Sequence, residues 1–387
     1  DKVQIPTLSA EQHEKFNFQY GYALFAHGDK ETAQQYLSQV KDSKEYGKKA
    51  AYYLGYIAYD ADDYQQANQF FQQVEQEKEL SKNLSYYQAD MNFKQGNFQK
   101  ALEEGLHQLE KTNNPQYRSE INKIIGESYF NLKQYTKAIP YLEAYKGKNG
   151  TYTDTDLYYL GFAYYQQGDY QKAIGQFNRI INGKNQVAQN AYYHLAQCYL
   201  KTGQKQQALN AFRNAYQMNF SSEIKKDAHL NYARLSYEVG NAYESTPTVI
   251  QAYIDTYPND HTQELKELLL DSYITSGNFP SALNMLEKST SPDPKIYQQV
   301  AFLYALQLYG DGNFKEALSY FQKAKNSKAQ SQVQARATYW SGETHYQLHE
   351  YPEAQRDFSA FLALKETTLA EYPNALYGLG YALFNQK

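Results

Sequence analysis

Cysteine occurs once in 387 residues, at Cys198, tryptophan once and methionine three times. A lone cysteine excludes an internal disulfide and any cysteine-rich metal site. Cys198 follows the small Ala196 by two residues, with no Lys, Arg or helix start to activate it, so a buried, inert thiol is expected. No run of eighteen apolar residues occurs, and no segment therefore reads as a membrane-spanning helix. Basic charge is also short, with 38 Lys and Arg against 42 Asp and Glu for a net charge of −4. Binding a polyanion needs a Lys/Arg surplus on one face, so nucleic acid is not the expected partner.

Catalytic signatures are missing too. Gly310-Asp311-Gly312 and Gly378-Leu379-Gly380 lack the third glycine and the preceding strand of a dinucleotide loop, and no GxxxxGK[ST] segment appears. His345 and His349 are spaced to share one helix face, which can chelate a metal. Tyr346, however, stands where a zinc protease places its Glu, and His349 falls at a turn. A structural role is the expectation for both, and the chain reads as a non-enzyme with no catalytic residue, metal or cofactor. The first residue is Asp1 rather than Met, which implies a processed or cut chain with any targeting peptide outside it.

What is abundant is tyrosine, 42 residues, more than a tenth of the chain. Its ring is apolar and its tip polar, so it seals a thin core while facing water. A chain with many half-exposed interfaces favours that choice.

The chain repeats. A small residue, a later Gly-Asp/Asn-aromatic turn, an Ala and a bulky apolar residue recur in order. The clearest copy is Gly161, Tyr164, Gly168-Asp169-Tyr170, Ala173, Phe177. Others run through Gly55, Asp62-Asp63-Tyr64, Ala67 and Phe71, and through Gly312-Asn313-Phe314, Ala317 and Phe321. The small position falls at Gly21, Gly55, Ala89, Gly126, Gly161, Ala196, Ala233, Leu270, Ala305, Gly342 and Gly380, at intervals of 34 to 38 residues. Stacked repeats grow along one axis, which overrides the two or three domains that length alone suggests.

Paired antiparallel helices explain each position. Tyr53, Leu54, Ile57 and Ala58 form an apolar helix stripe. Glycine at the turn supplies a left-handed conformation, and the following Asp or Asn can cap the next helix. Pro280 and Pro352 sit at the start of the second helix, where a missing N–H costs nothing. The small residue and the later Ala mark where two helix backbones approach closely.

This pattern resembles the tetratricopeptide repeat family over residues 13–387. The tract from Gly126 to Tyr257, with Ile125-Gly126-Glu127-Ser128-Tyr129 and Asn190-Ala191-Tyr192-Tyr193-His194-Leu195, is also similar to long tetratricopeptide proteins of the Bacteroidetes cell envelope. The resemblance implies an all-α, right-handed superhelical solenoid of about ten helix pairs plus one unpaired C-terminal helix. It implies a periplasmic or outer-membrane-associated setting, and a concave groove lined by the first helix of each pair. In the family, groove positions lie three before, one after and four after the small residue. Here they read Phe18, Tyr22, Phe25; Tyr52, Tyr56, Tyr59; Tyr86, Phe93; Phe130; Tyr158, Phe162, Tyr165; and Tyr193. Further on they turn polar, at Arg234, Glu264, Glu267 and Asp271. Aromatic anchors would suit an apolar helix or an extended peptide, while the competing reading has the same rings sealing neighbouring repeats. The Lys and Asn with which some members clamp a partner's carboxylate are replaced by Phe18 and Tyr22, and the acidic cluster reads as a solvated face.

Residues 1–12 read as a lead-in and 13–387 as one continuous array, with a bend expected near 240–264 and a linker-like stretch at 288–296. In the seventh repeat one extra residue reads as inserted after Gly240-Asn241. Thr246 takes the Ala position before Pro247, so its second helix should start late or pack loosely. Pro140 falls inside a predicted helix. Ser9 and Gln12 form a capping box ahead of the first helix. Gly380 opens an eleventh repeat that stops at Lys387, which implies a fragment of a longer array. Leu376, Leu379 and Leu383 then lack a packing partner, and that end could self-associate. The function expected is a scaffold for a protein or peptide partner in an envelope assembly. The alternatives are a substrate-recruiting array of a larger enzyme and an RNA-binding helical repeat.

Overall fold

The computed structural model describes residues 8–81, 84–180, 182–327 and 329–387. The first seven residues of the expected lead-in lie outside these. The described residues form twenty-one α-helices and no strand, apart from an isolated bridge between Lys148 and Thr151. The chain divides into two compact bodies, Asp1–Ala228 and His229–Lys387.

The first body runs through α1 (Ala10–His27), α2 (Lys30–Ser38), α3 (Gly47–Asp60), α4 (Tyr64–Gln72), α5 (Leu84–Lys94) and α6 (Phe98–Lys111). It continues with α7 (Pro115–Asn131), α8 (Tyr135–Ala144), α9 (Asp154–Gln167), α10 (Tyr170–Phe177), α11 (Gln186–Lys201) and α12 (Lys205–Gln217). The boundary falls within α13 (Ser222–Val239). The second body then has α14 (Thr246–Thr256), α15 (Thr262–Thr275), α16 (Phe279–Glu287), α17 (Pro294–Gly310) and α18 (Phe314–Asn326). It ends with α19 (Ser331–Gln347), α20 (Tyr351–Ala363) and α21 (Glu371–Phe384). Odd and even helices are the first and second members of ten pairs, and α21 follows as the first helix of an eleventh. The fold is the expected all-α helical-pair solenoid. Close packing joins helices that are successive or next but one in the chain, so the core is a series of small clusters.

The clearest rule concerns the residue seven places after each small position. It is left-handed in all ten pairs: Gly28, Asp62, Gly96, Lys133, Gly168, Gly203, Gly240, Gly277, Gly312 and His349. Seven of these are glycine, which adopts positive φ without strain, whereas Asp62, Lys133 and His349 hold φ of 59°, 58° and 61°. The turn fixes where the second helix starts. Asp29, Asp63, Asp169 and Asn278 accept from the backbone N–H three residues on, at 3.0–3.3 Å, and cap it. Asn97 and Asn313 stand at the same place but make no side-chain cap bond. Pro280 and Pro352 occupy the first turn, as expected, and Pro140 lies inside α8. The Ser9–Gln12 capping box is formed.

The second rule concerns the close approach. A Cβ built on Gly21 would meet Leu37 at 2.9 Å, on Gly55 Phe71 at 2.6 Å, on Gly126 Leu142 at 2.8 Å, on Gly161 Phe177 at 2.8 Å and on Gly342 Phe358 at 2.9 Å. In each case the partner lies sixteen residues later, on the second helix. Ala33, Ala67, Ala101, Ala138, Ala173, Ala208, Ala282, Ala317 and Ala354 have no exposed surface. The third repeat inverts the arrangement: Ala89 pairs in sequence with Gly105, whose empty side takes Ile125, 2.8 Å from a built Cβ.

The seventh repeat departs as anticipated, with a correction. Every other second helix begins nine residues after the small position; α14 begins four residues later, at Thr246, capped by Ser245 with Pro247 in its first turn. Yet Val249 is buried sixteen residues after Ala233, so the spacing runs through and no extra residue is needed. The missing turn is a short helix, not an insertion. At α21, Leu376 and Leu383 are exposed as expected, but Leu379 packs on the cluster around Phe358 and Phe361.

Replacing Gly161 by Ala should cost about 1–3 kcal/mol, since the ring of Phe177 and the Cβ of Gln176 leave no room. Gly380→Ala, whose Cβ meets nothing, should be neutral or gain up to about 1 kcal/mol from helix propensity. Urea unfolding of both variants checks this; equal effects would contradict the close-approach rule.

Candidate functional site

Phe18, Tyr22 and Phe25 lie along α1, and their ring centroids are 6.4, 5.1 and 5.0 Å from that of Tyr53 on α3. Tyr52, Tyr56 and Tyr59 lie along α3; Tyr56 and Tyr59 reach Tyr87 on α5 at 5.6 and 5.1 Å, and Tyr52 packs on the same cluster. Tyr86 and Phe93 on α5 pack on the cluster formed by Ala89, Ala101 and, on α7, Ile124. Phe130 on α7 stacks on Tyr159 of α9 at 4.4 Å. Tyr158, Phe162 and Tyr165 on α9 surround His194 of α11 at 5.9, 4.9 and 5.4 Å. Tyr193 lies against the same imidazole at 5.3 Å and against Phe212 at 5.9 Å.

The residues singled out from sequence are therefore brought together repeat by repeat, as threes in the first, second and fifth repeats, a pair in the third and Phe130 alone in the fourth, and each group closes on the residue two before the next small position: Tyr53, Tyr87, Ile124, Tyr159 and His194. Sequence reasoning missed that fifth wall. The signal was present, because four of those five residues are aromatic at the repeat spacing. The groove positions are the sides of boxes that seal one repeat to the next. Their edges remain half-exposed, and Tyr22 is 45% exposed.

Hydroxyl groups extend the pattern. The tyrosine four after the small residue donates to the residue one after the next small residue: Tyr59 to Asp90 at 2.5 Å and Tyr165 to Gln197 at 2.6 Å. In the second body Tyr237 donates to Asp271 at 2.7 Å in the same positions. Burial and the carboxylate acceptor both hold the Tyr59 phenol far above its ordinary value. Tyr193 donates to Asp227 at 2.6 Å. The later polar positions are mutually satisfied: Arg234 holds Glu264 through two bonds of 2.8 and 2.6 Å, which lowers the Glu264 carboxyl, and Gln263 donates to Glu267 at 2.8 Å.

His194 is the strongly perturbed imidazole of these boxes. Its Nδ1 is 2.8 Å from the Asn190 carbonyl, an acceptor only, so Nδ1 carries the proton and the ring is the neutral tautomer. Burial among five rings, those of Tyr158, Phe162, Tyr165, Phe177 and Tyr193, lowers its pKa to about 4. Cys198 is buried as expected, and burial pushes its thiol up to about 12. His345 bonds Glu350 at 2.6 Å, while His349 holds the left-handed turn and bonds the Tyr351 hydroxyl at 2.8 Å, so the two have separate partners. Among the described residues no group of three His, Cys, Asp or Glu could hold a metal.

Because the folded-state pKa of His194 is depressed, its contribution to stability is complete above pH 6.5 and falls away as pH drops toward 4. Comparing thermal melts of the wild type and His194→Phe across that window should show a wild-type loss of up to about 3 kcal/mol that the variant lacks. Parallel pH profiles would contradict the buried neutral histidine.

A family model described as anaphase-promoting complex, cyclosome, subunit 3 matches residues 133–215, and a tetratricopeptide repeat model matches residues 339–387. Among curated proteins none matches. Solved structures include a tetratricopeptide repeat protein from Parabacteroides merdae, 18% identical over 66% of this chain and 96% of that one, TM-score 0.36. The C-terminal part of a repeat protein from Cytophaga hutchinsonii is 16% identical over 75% and 98%, TM-score 0.37. YrrB, described as having an unusual peptide-binding site, is 18% identical over 52% and 96%, TM-score 0.40.

Proposed function

We propose that this chain, which belongs to the tetratricopeptide repeat family, is a protein-interaction scaffold that holds a peptide or helix against the first helices of its amino-terminal repeats. The observation that carries this reading is the pair of boxes on α1 and α3. Each ring there touches another ring and so is fixed in place, yet each keeps a half-exposed edge. Rings held by their neighbours lose little freedom on contact, and aromatic anchors dominate binding energy where they meet an apolar partner. Lys30, 5.7 Å from the centroid of Tyr56, and Lys94, 4.9 Å from that of Tyr59, add fixed charges beside these rings.

Phe130, Tyr158, Phe162, Tyr165 and Tyr193 have a mainly sealing role in this reading, because their boxes close on Tyr159 and His194. The exposed apolar face of α21, with Leu376, Tyr377, Tyr381 and Phe384, is a second surface for protein contact, a second copy of the chain included. The setting proposed is a bacterial envelope assembly, periplasmic or outer-membrane-associated, and it is supported by the likeness of the Gly126 to Tyr257 tract described above. Among the described residues no helix is long and apolar enough to cross a membrane.

A peptide selected by display against the whole chain provides the test. Its affinity, measured by calorimetry, should fall at least about tenfold in Tyr22→Ala and in Tyr56→Ala, and stay unchanged in Gln65→Ala on the exposed side of α4. Full affinity in both tyrosine variants would overturn the groove assignment.

A further inference from the structure

The fourth repeat breaks the box pattern. Where the second repeat has Tyr52, Tyr56 and Tyr59, the fourth has Lys123, Glu127 and Phe130. Beside the two charged residues a cavity of about 340 Å³ opens among α7, α8, α9 and α10, at the end closed by residues 145–153. Leu142, Leu157, Tyr145 and Tyr164 give it a buried, largely apolar floor. Two carboxylates lie within it, the side chains of Glu127 and Asp156, only 8% and 4% exposed. Glu143 and Arg179 stand at the exposed mouth, with the Tyr152 ring between floor and rim.

The charges are only partly matched. Lys123 donates to Asp156 at 2.6 Å, and the other Asp156 oxygen accepts from the Thr153 N–H at 2.8 Å as part of the α9 capping box. Asp156 is thereby satisfied. The nearest cation to Glu127 is the same Lys123 at 3.8 Å, beyond hydrogen-bond distance. Glu143 accepts from the Tyr164 hydroxyl and, among the described residues, pairs with no cation. Arg179 lies over the Tyr152 ring at 5.1 Å and donates to Gln176 at 3.1 Å; among the described residues no carboxylate comes within ion-pair distance of it. A desolvated carboxylate thus sits deep in the cavity and an unmatched guanidinium at its mouth. An incompletely matched buried charge is costly, so Glu127 gains from a second cation, while Arg179 at the mouth can receive an anion.

We propose that this cavity binds a small zwitterion, a free α-amino acid or a dipeptide, with its ammonium on Glu127 and its carboxylate on Arg179. The volume sits at the low end of the range for small-molecule sites, about 300–1,000 Å³, which suits a ligand of that size. A simple cation would leave Arg179 unmatched, and a simple anion would face the carboxylates. The apolar floor accepts a hydrocarbon side chain. Nothing in this assignment depends on the aromatic groove, so loss of either site leaves the other intact.

Binding carries a pH signature. Burial raises the Glu127 carboxyl to about 7, against Lys123, which lowers it. Asp156 and Tyr159 on α9, Glu143 and Tyr145 at the end of α8, Glu120 on α7 and Asp90 on α5 are the other titratable groups around it. The carboxyl must ionise to hold an ammonium, so affinity strengthens as pH rises through neutrality.

Thermal shift of the full chain with the standard L-amino acids and glycylglycine at millimolar concentration, at pH 6 and pH 8, tests the proposal. At least one probe should raise the melting temperature more at pH 8. By calorimetry its methyl ester and its N-acetyl form should each bind at least about tenfold more weakly. Glu127→Gln should abolish the pH dependence. Arg179→Met, at an exposed position that leaves folding intact, should cost about tenfold and erase the difference between the probe and its ester. No stabilisation by any probe, equal binding of the single-charge analogues, or unchanged affinity in Arg179→Met would overturn it.

Discussion

The approach of two helix backbones at one small residue is the constraint from which the rest of this structure follows. In eight of the ten pairs a first helix that carries no Cβ or only a methyl at this place meets a buried ring or branched side chain sixteen residues later; the third pair meets Gly105 instead, and the eighth carries Leu270. At Gly55 and Gly161 that contact is so close that even one carbon would collide with Phe71 and Phe177. Once the two helices are held at that distance, the connection between them must reverse direction in a fixed number of residues. The left-handed residue at the seventh place is how it does so, and the N–H groups freed there are capped by Asp or Asn in four of the pairs. Where a side chain stands at that place, as at Lys133, the strain is tolerated because packing on both sides leaves no other geometry.

The aromatic boxes are a consequence of the same spacing. Equal pairs place equivalent positions of successive first helices side by side, so three positions on one helix must meet one position on the next. Filling those sides with Phe and Tyr gives a thin core that needs no large globule, and the hydroxyls of Tyr59 and Tyr165 are paired by bridging to Asp90 and Gln197. The fourth repeat shows what the device prevents. With Lys123 and Glu127 in two of the sides, the interface no longer fills, and a charged cavity results.

Much of this is legible in the sequence, because each of those constraints leaves a residue type at a fixed interval. Gly21, Ala33 and Leu37, and their counterparts along the chain, can be read as paired helices before any coordinate is known. The aromatic series was equally visible, but its role was not: periodicity says that Tyr158, Phe162 and Tyr165 share a face, and says nothing of what that face meets. Only the position of the next helix shows that they enclose His194, a residue too ordinary in sequence to stand out. The late start of α14 was legible through Pro247. Its cause was misread, because a missing helical turn and an inserted residue leave the same trace in a string of letters. The cavity was invisible, since it arises from two substitutions whose meaning depends on the box around them.

A double-mutant cycle on Gly55 and Phe71 tests the central constraint most directly. Gly55→Ala and Phe71→Ala each remove one side of the contact, and unfolding free energies of the singles and the double give their coupling. The close-approach account predicts that the added methyl is far less harmful once the ring is gone, a coupling of at least about 1 kcal/mol. Additive effects would mean that the small residue and the ring are not what hold the pair together.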